Sequence, residues 1–324
     1  MNKVTVRSRL VTAFVRLFAL CLIWAFADAP SLAQDRSRVV VASKADTEGA
    51  LLGSLIGLVL EREGIPAELR LQLGPTHKVR SALLSGEIDL YPEYTGNGAF
   101  FHGMESDPGW KSPEKAFQSV RRLDAERHNL IWLTRAPANN TWLIAVRGDV
   151  ARRDHLTTME DFAAAVKRSA DLKLAASEEF VESPAALPSF EKTYDFHFPR
   201  DRIVTQPEGD TMTTMRAAVR NADGVNAAMV YGTDGAIASF DLVVMKDVKG
   251  AQIVYEPAPV ARAEILRQYP KIAQALDPVF RSLTAAKLQA LNAEIAIEEK
   301  PARDVATRYL DELGKTKAGS RTSP

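Results

Sequence analysis

Residues 88–101 read IDLYPEYTGNGAFF, a short strand pattern that runs into two glycines and four aromatic residues. Large aromatic side chains usually lie in a core, whereas carboxylates and a TGNG segment favour contact with water. We expect a turn on Gly96 and Gly98 that exposes Tyr94. The other aromatic residues are expected to pack inside: Tyr91, Phe100 and Phe101.

Strands and helices alternate on the N-terminal side of this segment. The β-branched run VVVA at 39–42 predicts a buried strand, and Leu51, Leu55 and Leu58 recur at helical spacing. The predicted order is strand 39–42, helix 50–63, strand 67–73, helix 77–85 and strand 88–91. A β-α-β-α-β order with short links is typical of an α/β lobe built on a mainly parallel sheet.

A second series of alternating elements begins at residue 142, and a chain of 324 residues suits two lobes of about 100–200 residues each. The predicted strands of this series are 142–146, 173–176, 203–205, 227–230, 242–245 and 252–255. We expect an α/β fold of two lobes, with mainly parallel sheets and a ligand cleft between the lobes. The first lobe is predicted to hold 35–143 and 238–324 and the second 144–237, with crossings near 141–146 and 232–240.

The first 33 residues have the three-part pattern of an export signal. Four basic residues precede the apolar run LFALCLIWAFA at 17–27, and the small residues Ser31 and Ala33 follow it. Eleven apolar residues are about half of the ~20 that a membrane-spanning helix needs, so a permanent anchor is the weaker alternative. We expect cleavage after residue 33 and an exported, soluble protein.

Charge and cysteine content exclude several function classes. The whole chain has 41 basic and 41 acidic residues, and without residues 1–33 it keeps 37 and 40. A nucleic-acid partner would normally require a basic patch or stripe. The single cysteine, Cys21, lies in the export signal, so neither disulfides nor thiol nucleophiles are expected beyond it.

The sequence offers few groups for catalysis. Its five histidines are scattered, and no HExxH, GxSxG, GxGxxG or GxxxxGK[ST] motif is present, so we expect no metal, no cofactor and no enzyme activity. Asp89 and Glu93 are the best carboxylate pair, and a secreted glycoside hydrolase is therefore the alternative from another class. Carboxylates at a strand end, however, more often hold turns.

Three aromatic residues stand at predicted strand ends, where open α/β sheets bind ligands. Tyr94, Trp142 and Tyr231 each have polar neighbours: Thr95 and Asn97, Asn139 and Asn140, and Thr233 and Asp234. Converging aromatic faces attract a quaternary ammonium group, at about 0.5–2 kcal/mol for each face. The alternative is that the three rings only pack the lobes.

Long motifs along the chain resemble those of a known family. They are ASKADTEGALLG, LGPTHKVRSALLSGEIDLYPEYTGNGAFF, IWLTRAPANNTWLIAVR, GVNAAMVYGTDG and VYEPAPVAR. In these motifs the chain is similar to the periplasmic osmoprotectant-binding proteins of ABC importers, the glycine betaine, carnitine and choline group. The resemblance implies a type II periplasmic-binding fold, in which two lobes close on a small zwitterion and deliver it to inner-membrane permease subunits.

The resemblance also implies roles for individual residues. Lys44 would reach the ligand carboxylate, and Tyr94 would form one wall of an aromatic cage. Trp142 would form the second wall and Tyr231 the third. The complete predicted ligand-binding set is Lys44, Thr47, Tyr94, Thr95, Asn97, Asn140, Trp142, Tyr231, Thr233 and Asp234.

Two departures from the family pattern concern affinity. Ser183 stands in VESPAALPSF where many betaine binders have an arginine for the carboxylate, and PEGDTMTTM has no fourth aromatic residue. We expect either a weak betaine site or another small zwitterion or amine as the ligand. A polyamine would require several carboxylates near the rings, and the motifs supply few besides Asp210 and Asp234.

Overall fold

The computed structural model describes residues 38–168, 171–206 and 211–320, with side chains as far as residue 315. The predicted export signal at 1–33 and Asp210 lie outside these residues. The described chain forms two five-stranded sheets, each with apolar clusters on both faces. In each sheet one strand is antiparallel to its neighbours. The predicted α/β class with two lobes and mainly parallel sheets is confirmed.

The first sheet has the strand order β2-β1-β3-β10-β4, and β10 is its antiparallel strand. Its strands are β1 Val39–Lys44, β2 Ala67–Gly74, β3 Leu90–Tyr94, β4 Leu130–Trp132 and β10 Pro257–Arg262. Val39 and Val41 pack into one apolar cluster, and Val40 and Ala42 pack into the cluster on the opposite face. Both faces of β1 are therefore buried, which explains its unbroken apolar run.

The second sheet has the order β7-β6-β8-β5-β9, and β5 is its antiparallel strand. Its strands are β5 Trp142–Arg147, β6 Leu174–Ser177, β7 Ile203–Gln206, β8 Ala227–Tyr231 and β9 Leu242–Val244. In each sheet, therefore, the central strand (β3 or β8) lies beside the antiparallel strand. Corresponding positions in the two lobes can be compared on this basis.

Fourteen α-helices accompany these strands in the described part of the chain. The first ten are α1 Thr47–Arg62, α2 Thr76–Leu84, α3 Asn97–Phe101, α4 Pro113–His128, α5 Gly148–Asp154, α6 Met159–Lys167, α7 Glu178–Glu182, α8 Leu187–Tyr194, α9 Thr211–Arg220 and α10 Ala236–Ser239. The C-terminal helices are α11 Ala263–Gln268, α12 Lys271–Ser282, α13 Ala285–Ala296 and α14 Ala302–Ser320. None of these described helices is both long and apolar enough to cross a bilayer.

Thr95 and Gly96 form a turn that leads directly into helix α3 at Asn97, so the predicted turn is present at Gly96, whereas Gly98 lies inside the helix. Tyr94, which this turn was expected to expose, is only 5% exposed. Gly96 has helical dihedral angles, with φ −63° and ψ −28°. A Cβ on Gly98 would lie 2.5 Å from a methyl group of Val120 and 3.0 Å from the ring of Trp110. This glycine is required for close packing rather than for a left-handed turn.

The strand predicted at 252–255 is also wrong, because residues 252–255 are irregular and β10 follows them. Prolines usually argue against a central strand because they have no N–H to donate. In β10, Pro257 and Pro259 take part through their carbonyl oxygens, which accept hydrogen bonds from Ala136 N at 2.8 Å and Leu133 N at 2.9 Å.

The strand assignments differ from the predicted crossings between the lobes. The chain leaves the first sheet after β4, which ends at Trp132, and enters the second at Trp142. Strand β9, which was assigned to the first lobe, pairs with β5 in the second sheet. The return therefore lies between residues 244 and 257 rather than near 232–240. The lobe limits elsewhere stay a prediction.

Candidate functional site

A cavity of about 840 Å³ lies where the carboxyl ends of β1, β3 and β8 meet the start of the antiparallel strand β5. This is the edge at which α/β sheets bind ligands. Nine of the ten predicted ligand-binding residues line the cavity: Lys44, Thr47, Tyr94, Asn97, Asn140, Trp142, Tyr231, Thr233 and Asp234.

Thr95 is the predicted residue that the structure does not bring to the cavity. It is fully buried, and its hydroxyl donates to Val254 O at 3.0 Å and accepts from Glu256 N at 3.1 Å. Thr95 therefore fastens the segment that returns from the second sheet.

Lys44 is the only basic residue among the described residues that line the cavity, and it already has a partner. Its Nζ lies 2.9 Å from Oε1 of the fully buried Glu93 and 4.0 Å from the centre of the Tyr94 ring. Glu93 also accepts hydrogen bonds from the Tyr91 hydroxyl, Tyr94 N and the Asn97 amide. A ligand carboxylate would have to compete with Glu93 for Lys44.

Glu48, in the first turn of α1, is a cavity residue that the sequence analysis did not identify. Its Oε1 accepts hydrogen bonds from the Tyr94 hydroxyl at 2.6 Å and Asn140 Nδ2 at 3.3 Å. Its Oε2 accepts one from Asn292 Nδ2 at 2.7 Å. Burial raises the pKa of Glu48 to about 7, although hydrogen bonds from Thr233, Tyr94 and Asn292 act in the opposite direction.

Trp142 and Tyr231 form the aromatic side of the cavity. They are paired across β5 and β8, and their rings are stacked with centroids 6.3 Å apart. The edge of Phe180 contacts Trp142 from another side, with centroids 6.2 Å apart. The indole Nε1 is buried without a hydrogen bond of standard geometry to any described residue. Burial raises the pKa of Tyr231, and the neighbouring indole N–H acts in the opposite direction.

Two further aromatic residues line the cavity, Tyr255 and Phe100. Tyr255 lies between β9 and β10, where Asn139 Oδ1 accepts from its N–H and its carbonyl accepts from Asn140 N. Phe100, which was expected to pack inside, is 49% exposed on α3. The sequence analysis missed Tyr255 because the residue was placed in a strand. Its position within the VYEPAPVAR motif was the available signal.

The cavity lining is rich in carboxylates. Besides Lys44, its charged residues are Asp46, Glu48, Glu179 and Asp234. The lining is therefore more acidic than the sequence motifs suggested. Asp46 caps α1 through Gly49 N, and Asp234 accepts a hydrogen bond from Tyr231 N at 2.7 Å. Ser183 also lines the cavity, and no arginine is present among the described lining residues.

Asp89 and Glu93, the carboxylate pair considered for glycoside hydrolysis, are bound to other groups of the protein. Asp89 is fully buried, and it accepts hydrogen bonds from Val40 N at 2.9 Å and Arg262 Nη1 at 3.1 Å. Glu93 is held by Lys44 and its other donors. Neither carboxylate is among the residues that line the cavity. The geometry therefore does not favour an acid–base pair that acts on a bound glycoside.

One cluster has the residue types of a metal site, namely His102, Asp124 and His128. Asp124 already accepts two hydrogen bonds from Arg80, at 2.5 and 2.8 Å, and one from Trp132 at 2.7 Å. His102 Nε2 lies 3.1 Å from Asp124, and burial lowers the pKa of His102. A buried guanidinium that neutralises the carboxylate does not fit a metal cation, so we interpret this cluster as structural.

Known proteins resemble this chain over most of its length. A family model described as the substrate-binding domain of an ABC-type glycine betaine transport system matches residues 37–312. The glycine betaine-binding protein YehZ of Escherichia coli K12 is 51% identical over 284 residues, which are 88% of this chain and 93% of that protein. A glycine-betaine-binding protein of Pseudomonas aeruginosa is 30% identical over 300 residues, 91% and 93% of the two chains.

A solved structure is equally similar. The apo form of YehZ from Escherichia coli superimposes with a TM-score of 0.79 at 51% identity, covering 86% of this chain and 99% of that chain. The family model, the relatives and this structure agree with one another over nearly all of the described residues. The chain therefore belongs to the family of substrate-binding domains of ABC-type glycine betaine transport systems.

Proposed function

We propose that this chain is the solute-binding component of an ABC importer and that it binds a quaternary-ammonium compound in the cavity. The observation that carries this proposal is the convergence of aromatic residues from both sheets and from a connecting segment on one cavity. The residues are Tyr94, Trp142, Tyr231 and Tyr255. The family relationship supports the same conclusion.

The Tyr94 ring supports the proposal through the cation that it already contacts. The ammonium group of Lys44 lies 4.0 Å from its centroid, well within the ~6 Å over which a cation is attracted to an aromatic face. A quaternary ammonium group cannot donate N–H hydrogen bonds, so its recognition depends on such faces. Tyr231 and Trp142 supply them from the second sheet.

We further propose that an N-terminal signal exports the protein and is cleaved after residue 33. The mature protein works in the periplasm as a monomer, together with inner-membrane permease subunits. The three-part pattern of residues 1–33 supports export. The absence of cysteine beyond Cys21 is compatible with an oxidising compartment. A protein that captures a solute and passes it on requires no catalytic group.

The affinity for glycine betaine is proposed to be modest. Ser183 lines the cavity where an arginine would hold the ligand carboxylate, and the cation of Lys44 is shared with Glu93. A missing charge-assisted contact removes about 1.5–3 kcal/mol of binding free energy. Since micromolar binding corresponds to about −8 kcal/mol and each 1.4 kcal/mol is about tenfold, a dissociation constant between about 10 µM and 200 µM is expected.

Tryptophan fluorescence tests the proposal. The chain without the predicted export signal, which contains Trp24, keeps three tryptophans. Trp110 and Trp132 are almost fully buried and lie outside the cavity lining, so a ligand-dependent signal of this chain reports on Trp142. The purified protein is titrated with glycine betaine, choline, carnitine and proline betaine up to tens of millimolar. We expect a saturable change with at least one of them.

Calorimetry of variants then locates the site. Trp142→Ala should weaken binding by up to about thirtyfold, which corresponds to one cation–π contact of about 2 kcal/mol. Tyr269→Ala, which removes a partly exposed ring outside the cavity lining, should leave the affinity unchanged. A folded protein that binds none of the four compounds would contradict the proposed function.

A further inference from the structure

Two buried oxygen atoms in the cavity lining have no hydrogen-bond donor among the described residues. They are Oδ1 of Asn140 and Oδ1 of Asn292, and the Asn292 residue is only 6% exposed. Each side-chain amide directs its NH2 group at the carboxylate of Glu48. This contact fixes the orientation of both amides, because a flipped amide would place an oxygen against a carboxylate.

The three side chains therefore form a group of acceptors. Both carboxylate oxygens of Glu48, together with the two unpartnered amide oxygens, belong to residues that line the same cavity. A buried acceptor without a donor destabilises the site that holds it. A ligand that supplies an O–H or N–H would remove this cost on binding.

The charges of the lining favour a cation over a zwitterion. Four carboxylates line the cavity, whereas its single described cation, Lys44, is paired with Glu93 at 2.9 Å. Ser183 provides no charge for a ligand carboxylate. A carboxylate placed beside Glu48 would face a like charge and two further acceptors, Oδ1 of Asn140 and Oδ1 of Asn292.

We propose that Glu48, Asn140 and Asn292 form a hydrogen-bond-accepting subsite that selects a quaternary amine with a net positive charge and a hydroxyl donor. Choline is the simplest compound of this class. The subsite discriminates against glycine betaine, which carries a carboxylate and no donor. This inference rests on the proposed function of the cavity as a quaternary-ammonium site.

The environment of Glu48 is consistent with this role. Its pKa of about 7 results from burial, and the titratable groups that face it are Tyr94 on β3 and Asp46 at the cap of α1. The other contacts, from Asn140, Thr233 and Asn292, are uncharged. A bound cation favours the ionised carboxylate, so the affinity for choline should increase between pH 6 and pH 8 as Glu48 loses its proton.

Three ligands of similar size separate the contributions. Choline and propyltrimethylammonium differ by a hydroxyl in place of a methyl group, and glycine betaine replaces the hydroxyl arm with a carboxylate. In calorimetric titrations at pH 7.5, we expect choline to bind about tenfold more tightly than either of the other two, the ratio set by one charge-assisted hydrogen bond.

Matched variants identify the acceptor. Glu48→Gln should reduce the ratio of choline to propyltrimethylammonium affinity to about twofold, because a charge-assisted hydrogen bond becomes a neutral one. Glu179→Gln removes an exposed carboxylate from the same lining, and it should weaken both cations alike and leave their ratio unchanged.

The outcomes separate this inference from the proposed function. Tighter binding of glycine betaine than of choline, or an unchanged ratio in Glu48→Gln, would overturn the subsite and leave the quaternary-ammonium site intact. The wild-type comparison does not depend on the folding of any variant. Binding of putrescine in preference to every quaternary amine, or no binding at all, would contradict the proposed function and the subsite together.

Discussion

Tyr94 and Tyr231 occupy corresponding positions in the two sheets, yet their surroundings are opposite in character. Each ends the central strand of its sheet and pairs with the antiparallel neighbour, Tyr94 with Pro257 and Tyr231 with Trp142. The Tyr94 hydroxyl is bound by a carboxylate, and its ring is covered by an ammonium group. The Tyr231 ring is stacked against an indole.

This difference separates two tasks that a binding cavity must perform. On the first sheet, buried charges and hydrogen bonds hold the aromatic ring in place before a ligand arrives. On the second sheet, the stacked rings of Trp142 and Tyr231 present apolar surface. The first side is therefore sensitive to charge and pH, and the second to the size of the side chains.

The largest expected effect comes from removing the buried charge beneath Tyr94. Glu93→Gln leaves Lys44 without its partner, and breaking a buried ion pair in this way typically costs about 3–5 kcal/mol of unfolding free energy. Urea denaturation measures the change. Glu179→Gln, on the exposed rim near Trp142, should stay within about 0.5 kcal/mol of the wild type. Similar losses in both variants would remove the contrast between the two sides.

The next effect concerns pH. In the folded protein Glu48 has a pKa of about 7, compared with 4.5 for an unperturbed glutamate, because burial disfavours the ionised form. The raised pKa stabilises the folded state fully below pH 4.5, and this stabilisation is lost as the pH rises through 7. Its size is at most about 3 kcal/mol.

The measurement compares unfolding free energies of the wild type and Glu48→Gln in the absence of ligand at pH 5 and pH 8. We expect the wild type to lose more stability than the variant over this interval, because glutamine does not titrate. Equal losses would show that Glu48 ionises at its ordinary pKa, and the polar side of the cavity would then not be the pH-sensitive one.

The smallest effect compares the two tyrosines directly. Tyr94→Phe withdraws a donor from the buried carboxylate of Glu48, so a loss of about 1–2 kcal/mol is expected. Tyr231→Phe removes a hydroxyl that faces the Trp142 indole N–H, and a change below about 0.5 kcal/mol is expected. Thermal unfolding at one pH gives both values. A larger loss for Tyr231→Phe would reverse the comparison.

The sequence predicts those parts of the fold in which one local pattern decides the structure. The run VVVA could be recognised as a buried strand because both of its faces pack against apolar clusters. Strand β10 could not, because its prolines accept hydrogen bonds through carbonyls that a propensity argument does not consider. Gly98 of TGNG was misread for a related reason, since the Trp110 and Val120 side chains that require a glycine there are distant along the chain.

The candidate site was predictable where it follows strand ends, as Tyr94, Trp142 and Tyr231 illustrate. Glu48 and Asn292 escaped prediction because each lies in a helix, where a polar residue is ordinarily assigned to a solvated face. The hydrogen bond between them joins positions that are 244 residues apart along the chain. No periodicity encodes such a contact, and the burial that raises the pKa of Glu48 exists only after the helices have packed.

Asn292 also determines when the cavity is completed. Helix α13 belongs to the last part of the chain, and its Asn292 donates both to Glu48 in the first helix and to the Thr233 carbonyl after β8. A nascent chain that has emerged only as far as β9 already holds both stacked rings but lacks this link. The complete cavity lining therefore forms only after almost the entire polypeptide has been synthesised, and a chain shortened before residue 292 would lack both hydrogen bonds.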